Sequence, residues 1–591
     1  MLKAILLRLK YYMTRVLKKQ HLILVMAVCV GFISGLIAVL LKNGVFGIQK
    51  ILTSGFASEH FNVLYVAFPL IGLLITVLII SKVIRKNPGP GIPSVLYAIS
   101  RRKSILRRHN IFSSLVTSIF TVGFGGSAGL EAPAVQTSAA IGSNIAAGFK
   151  LDYKTKTLLI ACAAAGSLAS IFKAPIAAII FAVEVIMIDL TTASLVPLLL
   201  ASVSALLTAN MFLGEDTLLR FNLKDQFDPS AIPFYILFGV ITGVFSIYFN
   251  KIYLFITRNM ERIRNIWKRC LIGGLLLGLI VFIFPPLYGE GYDVINSLLS
   301  DNLVSVTKSS FFYDYTNSIT MMLIFMTCLV FFKVVATGLT VGSGGVGGIF
   351  APTLFMGATM GFLFSRVFRY FEISNLSASN FTLVGMAGLM AGVLHAPLTA
   401  IFMIAEISGG YDLFVPLMLT SAIAYYTSKS ISKHTIYTKE LAARGELVTH
   451  NKDKAVMTLM NLKQEIETNF VQVTPEQTLR ELVKAVSEST RNLFPVVSPD
   501  NRLVGVVILD DIRQIMFDQS QYDELTVTDV MTLPPEIITT EDFMENVMRK
   551  FDESGAWNLP VTEDGKYLGF VSKSRLFSAY RSLLREVIME E

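Results

Sequence analysis

Residues Gly166–Val185 read GSLASIFKAPIAAIIFAVEV, and residues Gly388–Ile407 read GLMAGVLHAPLTAIFMIAEI. The two segments align without a gap and share the Ala-Pro pair and the penultimate Glu. A second pair of segments lies upstream of each at almost the same offset: GGSAGLEAP at Gly125–Pro133 and GGVGGIFAP at Gly344–Pro352, with Glu131 in the first standing where Phe350 stands in the second. Two matched motifs in one order and nearly one register mark a duplicated chain.

The duplicated region belongs in lipid. Only 16% of the 591 residues are charged, against about a quarter in soluble domains, and mean hydropathy is +0.60. Stretches long enough to cross a bilayer run over His21–Leu41, Asn62–Ile80, Leu195–Leu213, Phe234–Phe255, Leu271–Leu287 and Met321–Leu339. Others are cut by Gly and Pro, at Ile111–Ala147, Leu158–Ile188, Gly347–Phe364 and Leu383–Pro416. Broken helices survive at membrane depth where they line a cavity or are buried in protein, so these interruptions point to a transport pathway between two halves, about 21–215 and 232–430.

Residues 1–20 carry Lys3, Arg8, Lys10, Arg15, Lys18 and Lys19 among Leu, Ile and Tyr, as a basic amphipathic helix on the cytoplasmic membrane face does. Positive-inside topology and attraction of anions account for the net charge of +8 without nucleic acid. Cys29, Cys162, Cys270 and Cys328 have no metal-ligand spacing and read as packing residues.

Beyond Ser432 the composition turns mixed and charged, and a soluble domain is expected over 455–591. It repeats as well. FPVVSPDNRLVGVVILDDI at Phe494–Ile512 matches LPVTEDGKYLGFVSKSRL at Leu559–Leu576 as strand, turn, strand and helix start, each preceded by a helical stretch, Thr478–Glu488 and Asp542–Ser554. The units, about 455–520 and 525–591, look like tandem CBS motifs.

Three motifs carry the chemistry: GPGIP at Gly89–Pro93, GLEAP at Gly129–Pro133 and GGIFAP at Gly347–Pro352. A Gly-rich turn before a helix exposes backbone N–H groups and the positive end of the helix dipole, which attract anions without a fixed cation. Such weak dipoles suit conduction, because a buried Arg or Lys holds a monovalent anion too strongly to release it. An ionisable Glu131 inside a Gly-rich apolar segment is costly unless it works or is paired.

These three motifs, with the Tyr of SKHTIYTKEL at Ser432–Leu441, resemble the four segments that surround the anion in CLC chloride channels and transporters. With the CBS tail the resemblance covers essentially the whole chain. It implies an all-α polytopic membrane domain of inverted repeats over 21–439, an α/β CBS pair on the cytoplasmic side, and a homodimer with one pore per subunit. It implies an anion held among Gly89, Pro90, Gly91, Ile92, Gly129, Gly348, Ile349 and Phe350, with the N–H groups of Ile349 and Phe350 and the hydroxyl of Tyr437 as donors. Glu131 resembles the gating glutamate, whose carboxylate occupies the external anion site until it is protonated or displaced.

Two positions depart from the family pattern. Pro90 stands where many members have a Ser that touches the anion, so the site loses a hydroxyl donor; the GPGIP form resembles plant exchangers that prefer nitrate, although a Pro also simply shapes a turn. Val185 stands where most exchangers carry a proton-transfer glutamate, and Val cannot relay a proton. Val185 favours a chloride channel gated by Glu131; the alternative is a proton-coupled chloride or nitrate antiporter. Glu184 and Glu406, equivalent in the two halves, read as structural acids at helix ends, and Lys173 and His395 as residues of a vestibule or of helix ends.

No cofactor is required by this reading. In the CBS pair the nucleotide pattern is incomplete: Gly505, Ile508 and Asp511 in one unit, Gly569, Ser572 and Arg575 in the other. Asp511 and Ser572 are the candidate nucleotide contacts, with a purely dimerising tail the favoured reading. A CBS-containing metal transporter would need intramembrane carboxylate clusters, and an enzyme a nucleophile–base or metal–His set near the Gly-rich segments; the sequence offers neither, so no metal site and no enzyme activity are expected.

Overall fold

A computed structural model describes residues 18–54, 64–186, 191–214, 219, 227–307, 310, 312–313, 318–439, 457 and 460–589. The basic N-terminal stretch falls almost wholly outside them. Contacts divide the chain into two units, Met1–Leu447 and Val448–Glu591.

The first unit is helical. Its first half contains α1 (Lys19–Ser54), α2 (Leu64–Leu78), α3 (Ile92–Arg101), α4 (Ser113–Gly123), α5 (Glu131–Gly148), α6 (Tyr153–Phe172), α7 (Pro175–Glu184) and α8 (Thr192–Leu213). The second contains α9 (Ile232–Glu261), α10 (Ile266–Ile283), α11 (Tyr292–Leu299), α12 (Leu303–Thr307), α13 (Ile319–Gly342), α14 (Phe350–Tyr370), α15 (Ala378–Leu394), α16 (Pro397–Ile407) and α17 (Phe414–Ile431). Among the described residues seven helical spans are long and apolar enough to cross a membrane. The expected span Leu271–Leu287 ends early, at Ile283, because Pro285 and Pro286 turn the chain into a short 3-10 segment. The seventh long span, Tyr153–Phe172, is the N-terminal part of the interrupted stretch Leu158–Ile188.

The duplication is written into the backbone. α6 ends at Lys173 (φ 57°, ψ 35°) and α15 at His395 (φ 55°, ψ 38°), both left-handed. The following Ala174 (φ −125°, ψ 78°) and Ala396 (φ −127°, ψ 71°) are pushed out of the helical region by the Pro after them. Pro175 and Pro397 then sit in the first turn of the next helix, where a missing N–H costs nothing.

Each half caps the other. Glu406 accepts from the N–H groups of Ile176 (3.1 Å) and Ala177 (2.9 Å) at the start of α7. Glu184 accepts from those of Leu398 (3.1 Å) and Thr399 (2.8 Å) at the start of α16. Hydrogen bonds to a charged partner contribute about 1.5–3 kcal/mol each, and the carboxylates answer the positive helix ends. The same exchange recurs nearby: Val346 N donates to Thr121 Oγ1 (3.1 Å) and Ser127 N to Thr340 Oγ1 (3.0 Å). A swap of identical bonds between equivalent residues is what a two-fold relation between the halves requires. Lys173 and His395 serve helix ends: Lys173 Nζ donates to Gly214 O (2.6 Å), and His395 Nε2 meets Ser428 Oγ at 3.3 Å.

The second unit carries α18 (Leu462–Glu465), α19 (Leu479–Glu488), β1 (Leu493–Val497), β2 (Leu503–Ile508), α20 (Leu509–Ile512), α21 (Val527–Val530), β3 (Ile538–Thr539), α22 (Met544–Ser554), β4 (Asn558–Glu563), β5 (Lys566–Ser572) and α23 (Lys573–Met589). β1 and β2 form an antiparallel hairpin, as do β4 and β5, and β3 pairs in parallel with β4. Val473 makes the equivalent parallel bridge to Val496 in the first repeat. Each repeat has its own apolar core, one around Val473, Leu479, Phe494 and Ile512, the other around Ile538, Phe551, Leu559 and Leu576.

Candidate functional site: three helix starts around a buried glutamate

The loops before α5 and α14 meet directly. Gly129 N donates to Gly348 O (2.9 Å) and Gly348 N to Gly129 O (2.7 Å), one reciprocal pair joining the two repeats at their Gly-rich motifs. The loop before α3 closes on the same point. A Cβ added at Gly91 or at Gly348 would stand 2.9 Å from the Cβ of Ala132, so both glycines are there because Ala132 leaves room for nothing larger. Gly91 also has φ 81°, a conformation that other residues resist. Gln136, one turn and a half further along α5, holds the first loop by donating to Pro88 O and accepting from Ser114 Oγ (3.0 Å).

Three helix N-termini, at Ile92, Glu131 and Phe350, are thereby assembled from segments far apart in sequence. First-turn N–H groups have no acceptor within their own helix. Ile349 and Phe350 are buried there, and the Phe350 ring packs on Phe172 of the other repeat at 4.9 Å between centroids.

Glu131 is fully buried. Its Oε1 accepts a hydrogen bond from Tyr292 Oη (2.9 Å), and the backbone N–H groups of Glu131 itself and of Ala351 are directed at the carboxylate. Oε2 has no partner at full hydrogen-bond geometry among the described residues. A Cβ on Gly348 would come within 3.5 Å of that oxygen, which places the carboxylate against the α14 loop. Tyr437 is buried within electrostatic range of Glu131, and its hydroxyl has no hydrogen-bond partner among the described residues. A buried donor left unpaired costs about 1–3 kcal/mol, so its retention points to a ligand.

A family model for the voltage gated chloride channel matches residues 71–429, well over half of the chain. The chain belongs to the CLC family. CBS domain models match residues 463–518 and 527–582 of this CLC protein. It is 28% identical over 368 residues to a putative chloride channel protein, ClcB-like, of Ralstonia nicotianae (60% of this chain, 80% of the relative). It is 26% identical over 438 residues to the H(+)/Cl(-) exchange transporter ClcA of Vibrio cholerae (72% and 90%). The fold matches a slow cyanobacterial Cl-/H+ antiporter (TM-score 0.60, 23% identity, 72% of this chain and 98% of that one). It also matches a eukaryotic CLC transporter (TM-score 0.57, 18% identity, 93% and 98%).

Pro90 lines a groove on the flank of α3, and Val185 is buried at the C-cap of α7. In the CBS pair, Asp511 is exposed on α20, and Ser572 donates its hydroxyl to Glu467 Oε1 (2.7 Å). Glu467 also receives Arg491 Nη2 at 2.6 Å. Burial opposes its charge, but the bonds from Ser572 and Arg491 prevail and hold its pKa below the ordinary range.

Sequence reading passed over four partners of the site. Tyr292 binds Glu131, and Glu290 Oε1 accepts from Leu130 N (3.2 Å). Lys333 is fully buried in α13, donating to Gly289 O (3.1 Å) with its ammonium 4.5 Å from the Phe355 ring centroid. Lys42 of α1 lies within electrostatic range of Glu131 and Glu290 and donates to Ile171 O (2.6 Å). Lys333 interrupts an otherwise apolar run, and that was the available signal.

Tyr437→Phe removes a buried hydroxyl that has no partner among the described residues. Chloride affinity measured by isothermal titration is expected to fall about tenfold to a hundredfold, the value of one hydrogen bond to a charged ligand. Gly348→Val, which forces Ala132 away, is expected to abolish measurable binding. Wild-type affinity in both variants places the anion elsewhere.

Proposed function

We propose that this protein exchanges a small monovalent anion for protons across the membrane, with Glu131 alternately filling the outer anion position and carrying the proton. The observation that carries the proposal is the placement of Glu131: fully buried at one of three converging helix starts and latched by Tyr292. The N–H groups of Ile349 and Phe350 and the hydroxyl of Tyr437 hold the central anion. A carboxylate at a helix N-terminus competes for the place that an anion takes. Once protonated, it loses its attraction to the helix ends and yields that place.

The likeness to exchange transporters such as ClcA supports coupled transport over the channel that Val185 alone favours. Val185 still supports a second reading, passive chloride conduction, and the ClcB-like relative carries a channel name. The chain is proposed to act as a homodimer with its CBS pair in the cytoplasm.

The deciding experiment is a chloride gradient imposed on proteoliposomes at equal pH. Exchange drives protons uphill at a fixed anion-to-proton ratio, whereas dissipation of the chloride gradient with no proton movement rejects exchange and leaves the channel.

Pro90 sets the anion preference in this proposal. It supplies neither hydroxyl nor N–H, which suits a flat anion of dispersed charge such as nitrate. Pro90→Ser is expected to move the nitrate-to-chloride flux ratio toward chloride by about tenfold, the value of one restored charge-assisted bond. An unchanged ratio assigns Pro90 to shaping the turn.

A further inference from the structure

A groove of about 350 Å³ lies beside α3, lined by Gly89 and Pro90 of the preceding loop and by Arg102, Arg107, His109 and Asn110 of the segment that follows. Its volume is far more than a monovalent anion needs, since one water takes about 30 Å³, and it lies in the range of small-molecule sites, about 300–1,000 Å³. The lining includes three basic residues and no acidic one. Between Lys82 and Asn110 the chain carries eight Lys and Arg residues and no Asp or Glu.

The basic lining is built to hold something. Arg102 lies over the Tyr97 ring at 5.2 Å from its centroid, which fixes the guanidinium in the wall. Both ring nitrogens of His109 and the side-chain oxygen of Asn110 are buried without hydrogen-bond partners among the described residues. Buried polar atoms are nearly always paired, and three orphans on residues lining a basic groove share one remedy. Two guanidiniums offer the planar fork that matches phosphate oxygens, a His ring adds a donor, and the Asn amide presents either edge on rotation.

We propose that this groove binds a phosphate-bearing anion, from a phospholipid headgroup or free in solution, and that its occupancy acts on the GPGIP loop. The loop lines the groove through Asn87, Pro88, Gly89 and Pro90. Asn87 Oδ1 accepts from Gly89 N (2.9 Å), and Gln136 holds Pro88 from within α5, five residues after Glu131. A ligand seated against the loop restrains the helix start that faces the anion. Burial and the neighbouring Arg107 and Lys86 hold the pKa of His109 below its ordinary value. A bound phosphate anion opposes that balance and favours the imidazolium. None of this depends on whether transport is coupled to protons.

The test uses the full-length protein in phosphatidylcholine nanodiscs with radiolabelled inorganic phosphate. Wild type is expected to bind phosphate saturably, one per chain. Binding is expected to weaken at least tenfold in R102Q/R107Q and R102E/R107E and to persist in R102K/R107K. Chloride titration at the Tyr437 site, run on the same samples, certifies that each variant is folded, and the Gln pair serves if the Glu pair is not. Displacement of phosphate by phosphatidic acid in the nanodisc assigns the site to a lipid headgroup; failure of the lipid to displace it assigns a soluble ligand. Equal phosphate binding in wild type and the Gln variant overturns the proposal. So does displacement by chloride at the concentration that fills the Tyr437 site, which makes the groove the mouth of the pore.

Discussion

Glu131→Gln is expected to raise anion flux at neutral pH, flatten its dependence on pH and abolish coupled proton movement together. The carboxamide has the shape of the protonated acid and no charge, so it stands permanently in the state that wild type reaches only on taking up a proton. Three attractions hold the ionised side chain: the Tyr292 hydroxyl, the N–H groups of Glu131 and Ala351, and the positive ends of the converging helices. The amide still accepts from Tyr292, but a neutral hydrogen bond is worth about half a charge-assisted one. Losing about 1.4 kcal/mol of latch gives roughly a tenfold gain in the open population, and loss of the charge at the helix ends adds to it. The sign with pH follows: wild-type flux rises as pH falls because protonation releases the latch, whereas the variant has nothing left to titrate there. Flux and proton movement measured across pH on the same proteoliposomes check all three effects. A variant that keeps the wild-type pH profile removes Glu131 from the gate.

The parts of this molecule legible in its sequence are those where the backbone dictates the residue. Gly91 is required by a positive φ, Gly348 by the approach of Ala132, and Pro175 and Pro397 by helix starts that must follow a left-handed turn. Such demands are local and survive duplication, so the two halves announce each other. Glu184 and Glu406 are readable as structural acids at helix ends because equivalent positions carry the same charge, although only the structure shows that each caps the helix that carries the other. Tyr292, Glu290, Lys333 and Lys42 left no comparable trace. Their partners lie between about 40 and 160 residues away in sequence, and no spacing rule links Tyr292 to Glu131 across α6 to α10. Val185 alone points to a channel because one position stands in for the whole route of a proton, while the residues that surround Glu131 come from both halves.

Val185→Glu is expected to speed proton exchange at least tenfold while leaving the anion-to-proton ratio unchanged. In the proposed exchange cycle the proton has to reach Glu131 from the cytoplasmic side past Val185 at the C-cap of α7, with no free carboxylate there, so proton delivery limits the cycle. A carboxylic acid there takes up, holds and releases a proton, which the isopropyl group cannot. Glu184 is no substitute. Adjacent helix residues point about 100° apart, and its carboxylate is committed to the start of α16 through Leu398 N, Thr399 N and the Thr399 hydroxyl at 2.7 Å. The substitution has a cost, because Val185 is 5% exposed and a buried unpaired carboxylate is destabilising. The cost is itself useful: it favours the protonated acid and keeps the group near the pH at which it exchanges. Val185→Gln matches the shape and burial of the new side chain without its proton, so faster proton movement in the Glu variant alone, driven by a chloride gradient in proteoliposomes, isolates proton relay from any structural effect. Equal proton rates in wild type, Glu and Gln variants mean that water reaches Glu131 by a path that never passes the end of α7.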